Sequence, residues 1–112
     1  MIVRESIPLA ELVRIAESQF GDLVKTVVDV RREILSLGAE LHADDEAALL
    51  DDGSKQADLW GINLYPAESS SDWIEYDSLI NVRPSQGNQS RDVENPETRD
   101  EVRRIVGKLV LR

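Results

Sequence analysis

Cysteine is absent from the sequence, and histidine occurs only once, at His42. Without cysteine the chain has no disulfide, thiol nucleophile, iron–sulfur cluster or cysteine-based zinc site. With a single histidine, metal centres built from several imidazoles are excluded as well. These absences remove several large classes of enzyme and metalloprotein.

Long apolar runs are also missing. No segment approaches the roughly 20 apolar residues of a membrane span, and the start, Met1–Glu5, lacks the apolar stretch of a signal peptide. We therefore expect a cytoplasmic protein with no membrane partner.

Aromatic residues are scarce at 4%, and the formal net charge is −9. The acidic excess lies in residues 40–78, which carry eleven acidic residues and one base, Lys55. Such a segment repels a phosphate backbone, and few aromatic rings remain to stack on bases. We expect no nucleic-acid partner. The acidic segment is either a solvated surface or a docking face for a basic partner or divalent cations.

What the chain does contain suits one folded domain, residues 1–112. Hydrophobic residues make up 41% of the sequence, which is enough for a core. A domain of this length buries roughly 65% of the surface that its unfolded chain exposes, so it needs no covalent staple.

Two amphipathic helices are predicted near the ends of the chain. Pro8 suits the first position of the first helix, and Gly21 suits its end. Asn95 and Pro96 are typical of the start of the second. The predicted buried faces are Leu9, Leu12, Val13, Ala16 and Phe20 in the first helix, and Val102, Ile105, Val106, Leu109 and Val110 in the second.

Residues 22–41 admit two interpretations. The β-branched residues within Thr26–Val30 favour a hairpin that turns at Arg31–Glu33 and returns through Ile34–Leu41. A helix is the alternative, because apolar residues also recur at spacings of three and four. The density of β-branched residues makes the hairpin the preferred prediction.

The middle of the chain predicts a short helix and two strands. Asp44 can cap a helix that runs to Leu50. Strands are predicted over 59–65 and 73–82, where apolar residues alternate with polar ones.

Together these elements predict an α+β fold, with a largely antiparallel sheet of about four strands and the N-terminal and C-terminal helices packed on it. The two helices would cover one face of the sheet. The other face would be more exposed, because Asn63, Glu75, Asp77 and Asn81 project there.

Established motifs for phosphate cradles, serine nucleophiles and zinc proteases are absent. A calcium loop ending at Asp52–Gly53 would need oxygen ligands at Ala48 and Leu50, and therefore fails. We accordingly expect no metal and no cofactor.

His42 stands beside three carboxylates, Asp44, Asp45 and Glu46. An imidazole near carboxylates can act as a general base or as one ligand of a mixed site. The competing interpretation is that the acidic residues simply begin a helix, since negative charge is favourable there.

The loop from Arg83 to Arg91 combines two guanidinium groups with several amide and hydroxyl side chains. Such a loop can bind a carboxylate or a phosphate. A candidate site for a small acidic ligand therefore comprises Asn63, Asn81, Arg83, Ser85, Gln86, Asn88 and Arg91. The alternative is that Arg83 or Arg91 pairs with the acidic middle third and holds the fold together.

Several strings are distinctive, namely Leu41–Asp44, Asp52–Gln56, Leu59–Pro66 and Ile80–Asn88. On these strings the chain resembles a small family of uncharacterised bacterial proteins, a domain of unknown function. The resemblance spans nearly the whole chain and implies no activity, substrate or cofactor.

For function, we favour a small non-enzymatic interaction or regulatory module with an unidentified protein partner. The alternative is a small-ligand-binding protein or a hydrolase-like enzyme that uses the Arg83–Arg91 loop and the His42 and Asp44 cluster. Whether the protein is an enzyme stays open, since no nucleophile–base pair can be recognised from spacing. A homodimer through sheet edges or exposed apolar residues is also compatible with the sequence.

Overall fold

The computed structural model describes the backbone of residues 1–112 and every side chain except that of Ser71. Over these residues the α-helices are Leu9–Ser18 (α1), His42–Asp51 (α2) and Pro96–Leu109 (α3). The strands are Ile2–Val3 (β1), Ile7–Pro8 (β2), Val24–Asp29 (β3), Ile34–Leu37 (β4), Leu59–Leu64 (β5), Ile74–Glu75 (β6) and Val110–Leu111 (β7).

The main sheet has the order β1-β4-β3-β5-β6, and all its neighbouring strands are antiparallel. A parallel pair, β2 with β7, joins the start of α1 to the end of α3. The α+β prediction is confirmed. The sheet has one more strand than predicted, because the first residues add β1 to the hairpin.

The predicted hairpin is confirmed as β3 and β4, and its turn is held by a side chain. The Asp29 carboxylate accepts hydrogen bonds from the backbone N–H groups of Arg31 and Arg32, both at 2.9 Å. Glu33 then adopts a left-handed conformation, with φ of 57°. An aspartate that bonds the backbone two residues later replaces the Asn-Gly signal that hairpin turns often use.

Helices α1 and α3 both cover the first face of the sheet, as predicted. The face is built from alternate residues of β3, β4 and β5, including Val28, Leu35 and Ile62, and these pack against Leu12 and Ile105 of the helices. Pro8 precedes α1 as its N-cap and does not occupy the first helical position.

On the second face of the sheet the predicted exposure holds at Glu75 and partly at Asp77, but it is wrong for Asn63 and Asn81, which are buried. Helix α2 lies over this face, and Leu49 joins Val27, Ile34 and Leu59 in a smaller core. Polar side chains fill the rest of this layer: Asp29, Ser36, Asp45, Ser54, Asn63 and Asn81 are all buried. The alternation of apolar and polar residues therefore marks a polar interior layer. Most of its polar groups bond to one another or to backbone, whereas the Oδ2 atom of Asp45 and the Oδ1 atom of Asn63 have no partner among the described residues.

Helix α2 begins earlier than predicted. Leu41 is its N-cap and supplies no side-chain bond, so Asp44 lies within the first turn and does not cap the helix. Asp45 points inward, where its carboxylate accepts a hydrogen bond from the Ser36 hydroxyl at 2.7 Å. The acidic residues still lie near the positive end of the helix dipole.

The strand predicted over 73–82 is mostly wrong, because β6 covers only Ile74–Glu75. Beyond it, the Ser78 hydroxyl accepts from the N–H of Ile80 and starts a short 3₁₀ turn, Leu79–Asn81. Ser78 also packs on Gly61 of β5, where an added Cβ would lie 2.5 Å from the Ser78 Cβ. Side-chain packing and capping at Ser78 thus end the pairing.

None of the described helices has both the length and the apolar character required to cross a membrane.

Candidate functional site

The Arg83–Arg91 loop is a tightly bonded turn. Arg83 and Asn88 exchange two backbone hydrogen bonds, at 2.7 and 3.1 Å. Between them, Pro84–Gln86 forms a 3₁₀ turn that ends at Gly87, whose φ of 79° is left-handed. The loop is therefore fixed by its own backbone, which is a suitable framework for binding side chains but leaves little room between them.

The guanidinium of Arg83 is directed at the protein. It lies 4.3 Å from the centre of the Trp60 ring and donates to the carbonyl oxygens of Gln56, at 2.6 Å, Ile80, at 3.1 Å, and Leu59. Burial lowers the pKa of this half-buried group. These contacts anchor the loop to β5 through carbonyl groups, whereas the sequence suggested a carboxylate.

Asn81 and Asn88 are buried, and their amides are satisfied internally. The Asn81 side chain accepts from the N–H of Gly61, at 2.8 Å, and donates to the Gly61 carbonyl, at 2.9 Å. Asn88 donates to the carbonyls of Asn81 and Asp92, both at 2.7 Å. Asn81 thus completes the edge of β5 in place of a neighbouring strand.

Gln86 and Asn88 line a cleft of about 610 Å³ between the loop and the start of α3. Trp60 forms part of its wall, and Glu94 supplies the carboxylate among its described lining residues. That carboxylate accepts three hydrogen bonds from Gln89 and Ser90, and those bonds lower its pKa. Its retained negative charge disfavours an acidic ligand in this cleft. Ser85 is exposed on the outside of the turn.

Asn63 belongs to the polar layer beneath α2. Its amide donates to the Glu75 carboxylate at 2.8 Å and to the Asp77 carbonyl at 3.3 Å. Glu75 also accepts from the Tyr65 hydroxyl at 3.1 Å. The Asn63 carbonyl oxygen is buried and has no partner among the described residues.

Arg91 lies away from the cleft and forms an ion pair with Asp77, at 2.6 Å. The alternative that one of the two loop arginines pairs with the acidic middle third is therefore confirmed for Arg91. The predicted ligand set is divided between two places: Gln86 and Asn88 line the cleft, and Arg91 lines a pocket around His42.

His42 forms a hydrogen bond through Nε2 to the carbonyl of Ile62, at 2.8 Å. A carbonyl can only accept, so Nε2 carries the proton and Nδ1 is the free acceptor of the neutral ring. Burial lowers the pKa of His42, the bond to Ile62 opposes that shift, and the nearby ammonium of Lys25 adds to it. The imidazole is therefore neutral at pH 7.

The pocket around His42 has a volume of about 190 Å³. Its rim carries two exposed leucines, Leu41 and Leu79, whose accessible fractions are 57% and 70%. Ser78, Ala43 and Ile80 contribute to the wall. The charged residues of the described lining are Lys25 and Arg91, both cationic.

The acidic residues next to His42 in sequence do not line this pocket in the described structure. Asp44 is exposed, and Asp45 is turned into the protein towards Ser36. No three metal-ligating side chains come together among the described residues.

Sequence reasoning missed Lys25, Leu41 and Leu79 as site residues. The sequence pattern places Leu79 in a strand, and Lys25 and Leu41 in the two arms of the hairpin. Their proximity depends on α2 packing over the sheet, which no spacing in the sequence reports.

The comparison with family models gives a match to DUF5674, described as a protein of unknown function, over residues 1–109. The chain belongs to this family. Comparisons of this DUF5674 chain with curated proteins and with solved structures give no match. Its function must therefore be inferred from its own cavities and surfaces.

Proposed function

We propose that this DUF5674 chain is a protein-interaction module and that its partner inserts an apolar side chain into the His42 pocket. The observation that carries the proposal is the pair of exposed leucines, Leu41 and Leu79, on the rim of one apolar pocket. Single exposed leucines are ordinary, but adjacent ones around a concavity are typical of interaction surfaces.

The size of the pocket supports a partner side chain over a metabolite. Its volume of about 190 Å³ is below the roughly 300–1,000 Å³ of sites that enclose a small ligand. One large apolar side chain can enter, with the rest of the partner lying across Leu41 and Leu79.

The expected affinity is modest. Fully burying a leucine contributes about 1.5–3 kcal/mol, so covering the exposed parts of Leu41 and Leu79 contributes about 2–4 kcal/mol. A micromolar complex needs about 8 kcal/mol. The remainder has to come from the anchor side chain and from polar contacts, as in a transient, regulatory association.

Selection from a displayed peptide library on the whole chain tests this proposal. Enriched peptides are expected to lose at least about tenfold in affinity on Leu79→Asp, because a carboxylate on the rim disfavours apolar contact. Leu111→Asp is the matched control, since Leu111 is similarly exposed outside the pocket. Peptides that bind Leu79→Asp and the unmodified chain equally well would contradict the proposal, and so would an absence of enrichment.

The cleft lined by Gln86 and Asn88 is a second candidate, for a small ligand. Its volume of about 610 Å³ falls within the range of ligand sites. Because Arg83 is occupied by carbonyl groups and Glu94 is charged, an uncharged polar ligand suits the cleft better than the acidic ligand expected from sequence. A thermal-shift screen of neutral sugars and nucleosides, repeated on Gln86→Leu, tests this candidate. Hits that persist on Gln86→Leu would count against it.

A further inference from the structure

We infer that the His42 pocket binds the C-terminal residue of its partner, with the apolar side chain inside and the free carboxylate held by Lys25 and Arg91. This inference rests on the proposed function and specifies its partner. It follows from the charges of the pocket, from the unused donors that surround it and from the size of the cavity.

The charges of the pocket run against those of the chain. The formal net charge is −9, yet the charged side chains of the described lining are the ammonium of Lys25 and the guanidinium of Arg91. Asp77 offsets part of the Arg91 charge, so Lys25 supplies the positive charge that has no ion pair among the described residues, and this charge favours an anionic group over a basic one.

The guanidinium of Arg91 retains free donors. Its Nε is bound to Asp77, at 2.6 Å, while its two terminal nitrogens have no partner among the described residues. The ion pair orients the planar group, and the terminal N–H groups can then face a carboxylate, which guanidinium binds through two parallel hydrogen bonds.

Lys25 lines the same pocket and is positioned by the sheet. It lies on β3 directly opposite Asn63, and its ammonium group is 5.0 Å from the centre of the Phe20 ring. It forms no ion pair with any described side chain. A ligand carboxylate would therefore gain an ionic partner without displacing an existing ion pair.

The small volume identifies the chain terminus as the source of the carboxylate. The pocket holds about one side chain, so the apolar group and the charge must enter almost together. In a C-terminal residue, the apolar side chain and the free carboxylate are bonded to the same Cα. An internal acidic residue instead carries its charge at the tip of its side chain. If that side chain entered the pocket, the carboxylate would lie against the apolar wall formed by Leu41, Leu79 and Ile80, and burying a charge there is costly.

The test uses the isotope-labelled whole chain and two probes, an octapeptide ending in leucine with a free carboxylate and the same octapeptide ending in leucinamide. Nuclear magnetic resonance titration is expected to move the signals of His42 and Leu79 with both. The free acid should bind at least about tenfold more tightly, which corresponds to about 1.4 kcal/mol. The difference should shrink as salt rises, because the cations are partly exposed.

Two variants identify the donors. Arg91→Gln and Lys25→Gln are each expected to bring the affinity of the acid towards that of the amide, with the melting temperature unchanged within a few degrees. Arg91→Gln also removes the ion pair with Asp77 and could loosen the loop for that reason. Arg91→Lys controls for this effect, because lysine retains a positive charge beside Asp77. Arg103→Gln is the control, because Arg103 pairs with Asp100 on the surface of α3.

The outcomes separate the two proposals. Equal affinity for acid and amide, with shifts at Leu79, would refute the carboxylate inference and leave the interaction module standing. Shifts elsewhere, or none, would refute both. If the signals of Leu41 and Leu79 move on dilution without peptide, a second copy occupies the pocket and the inference is wrong.

Discussion

Replacing Arg83 by alanine should destabilise the fold, because the guanidinium joins the Arg83–Arg91 loop to the outer edge of β5. Two of its acceptors, the carbonyls of Leu59 and Ile80, are partly buried and would lose their donor. The face of Trp60 would also lose the cation stacked on it. The loop would then be held mainly by its backbone bonds and by Asn81.

The magnitude follows from those contacts. Each partly buried carbonyl left without a donor costs about 1 kcal/mol, and the stack on Trp60 contributes about 0.5–1 kcal/mol. The bonds to Gln56 and Gln86 are exposed and add little. The expected loss is about 2–3 kcal/mol, which for a chain of this length lowers the melting temperature by about 8–15 °C.

Urea unfolding and thermal melts measure this loss. Arg14→Ala is the matched control, since Arg14 forms an exposed pair with Glu11 within α1 and should cost less than about 0.5 kcal/mol. Arg83→Lys should recover only part of the stability, because an ammonium cannot reach three carbonyls at once. If Arg83→Ala is as stable as Arg14→Ala, the anchoring role is wrong and a ligand-binding role for Arg83 becomes the better explanation.

Three further substitutions test other parts of the structure. Gly61→Ala should cost about 1–3 kcal/mol, because its Cβ would collide with Ser78, and Ser78→Gly should relieve much of that loss. Burial raises the pKa of Asp45, so its negative charge lowers stability as the pH rises above the pKa of Asp45 in the unfolded chain. In urea unfolding, Asp45→Asn should therefore be more stable than the unmodified chain at pH 7, and this difference should vanish near pH 3. The lowered pKa of His42 means that the unmodified chain loses stability as pH falls below about 6.5, and His42→Gln should flatten that loss; an identical pH profile for both proteins would argue against a neutral, bonded imidazole.

The elements that could be predicted from sequence are those with strong local signals. The hairpin follows from the β-branched run Thr26–Val30, and α1 and α3 follow from their apolar spacing and terminal residues. For the hairpin and α3 the local preference agrees with the face that the tertiary structure buries. For the first helix the prediction is wrong at Val13 and Phe20, which are exposed.

The incorrect predictions concern places where side chains supply the hydrogen bonds that a neighbouring strand would otherwise supply. The apolar and polar alternation after Trp73 suggested a long strand, but Asn81 uses its amide to bond Gly61 and ends the need for a paired strand there. The burial of the second face depends on α2, whose sequence has only a weak apolar stripe. Polar residues on that face were therefore interpreted as exposed.

The candidate site was harder to predict, because its members are near one another only after folding. Lys25, His42 and Leu79 come from a strand, a helix and a 3₁₀ turn. The composition of the Arg83–Arg91 loop is typical of an anion-binding loop. Most of its bonded side chains anchor the loop to the rest of the fold, and composition alone cannot distinguish anchoring from ligand binding.

The part of β5 that β6 leaves unpaired has a consequence for solubility. Over Leu59–Gly61 the outer edge of this strand is closed by the side chains of Arg83 and Asn81, and no neighbouring strand covers it. An edge that is covered by side chains can be uncovered by one substitution, whereas an edge that is paired with another strand cannot. Loss of Asn81 would therefore uncover the backbone of a strongly apolar strand and provide a template on which chains could stack into aggregates.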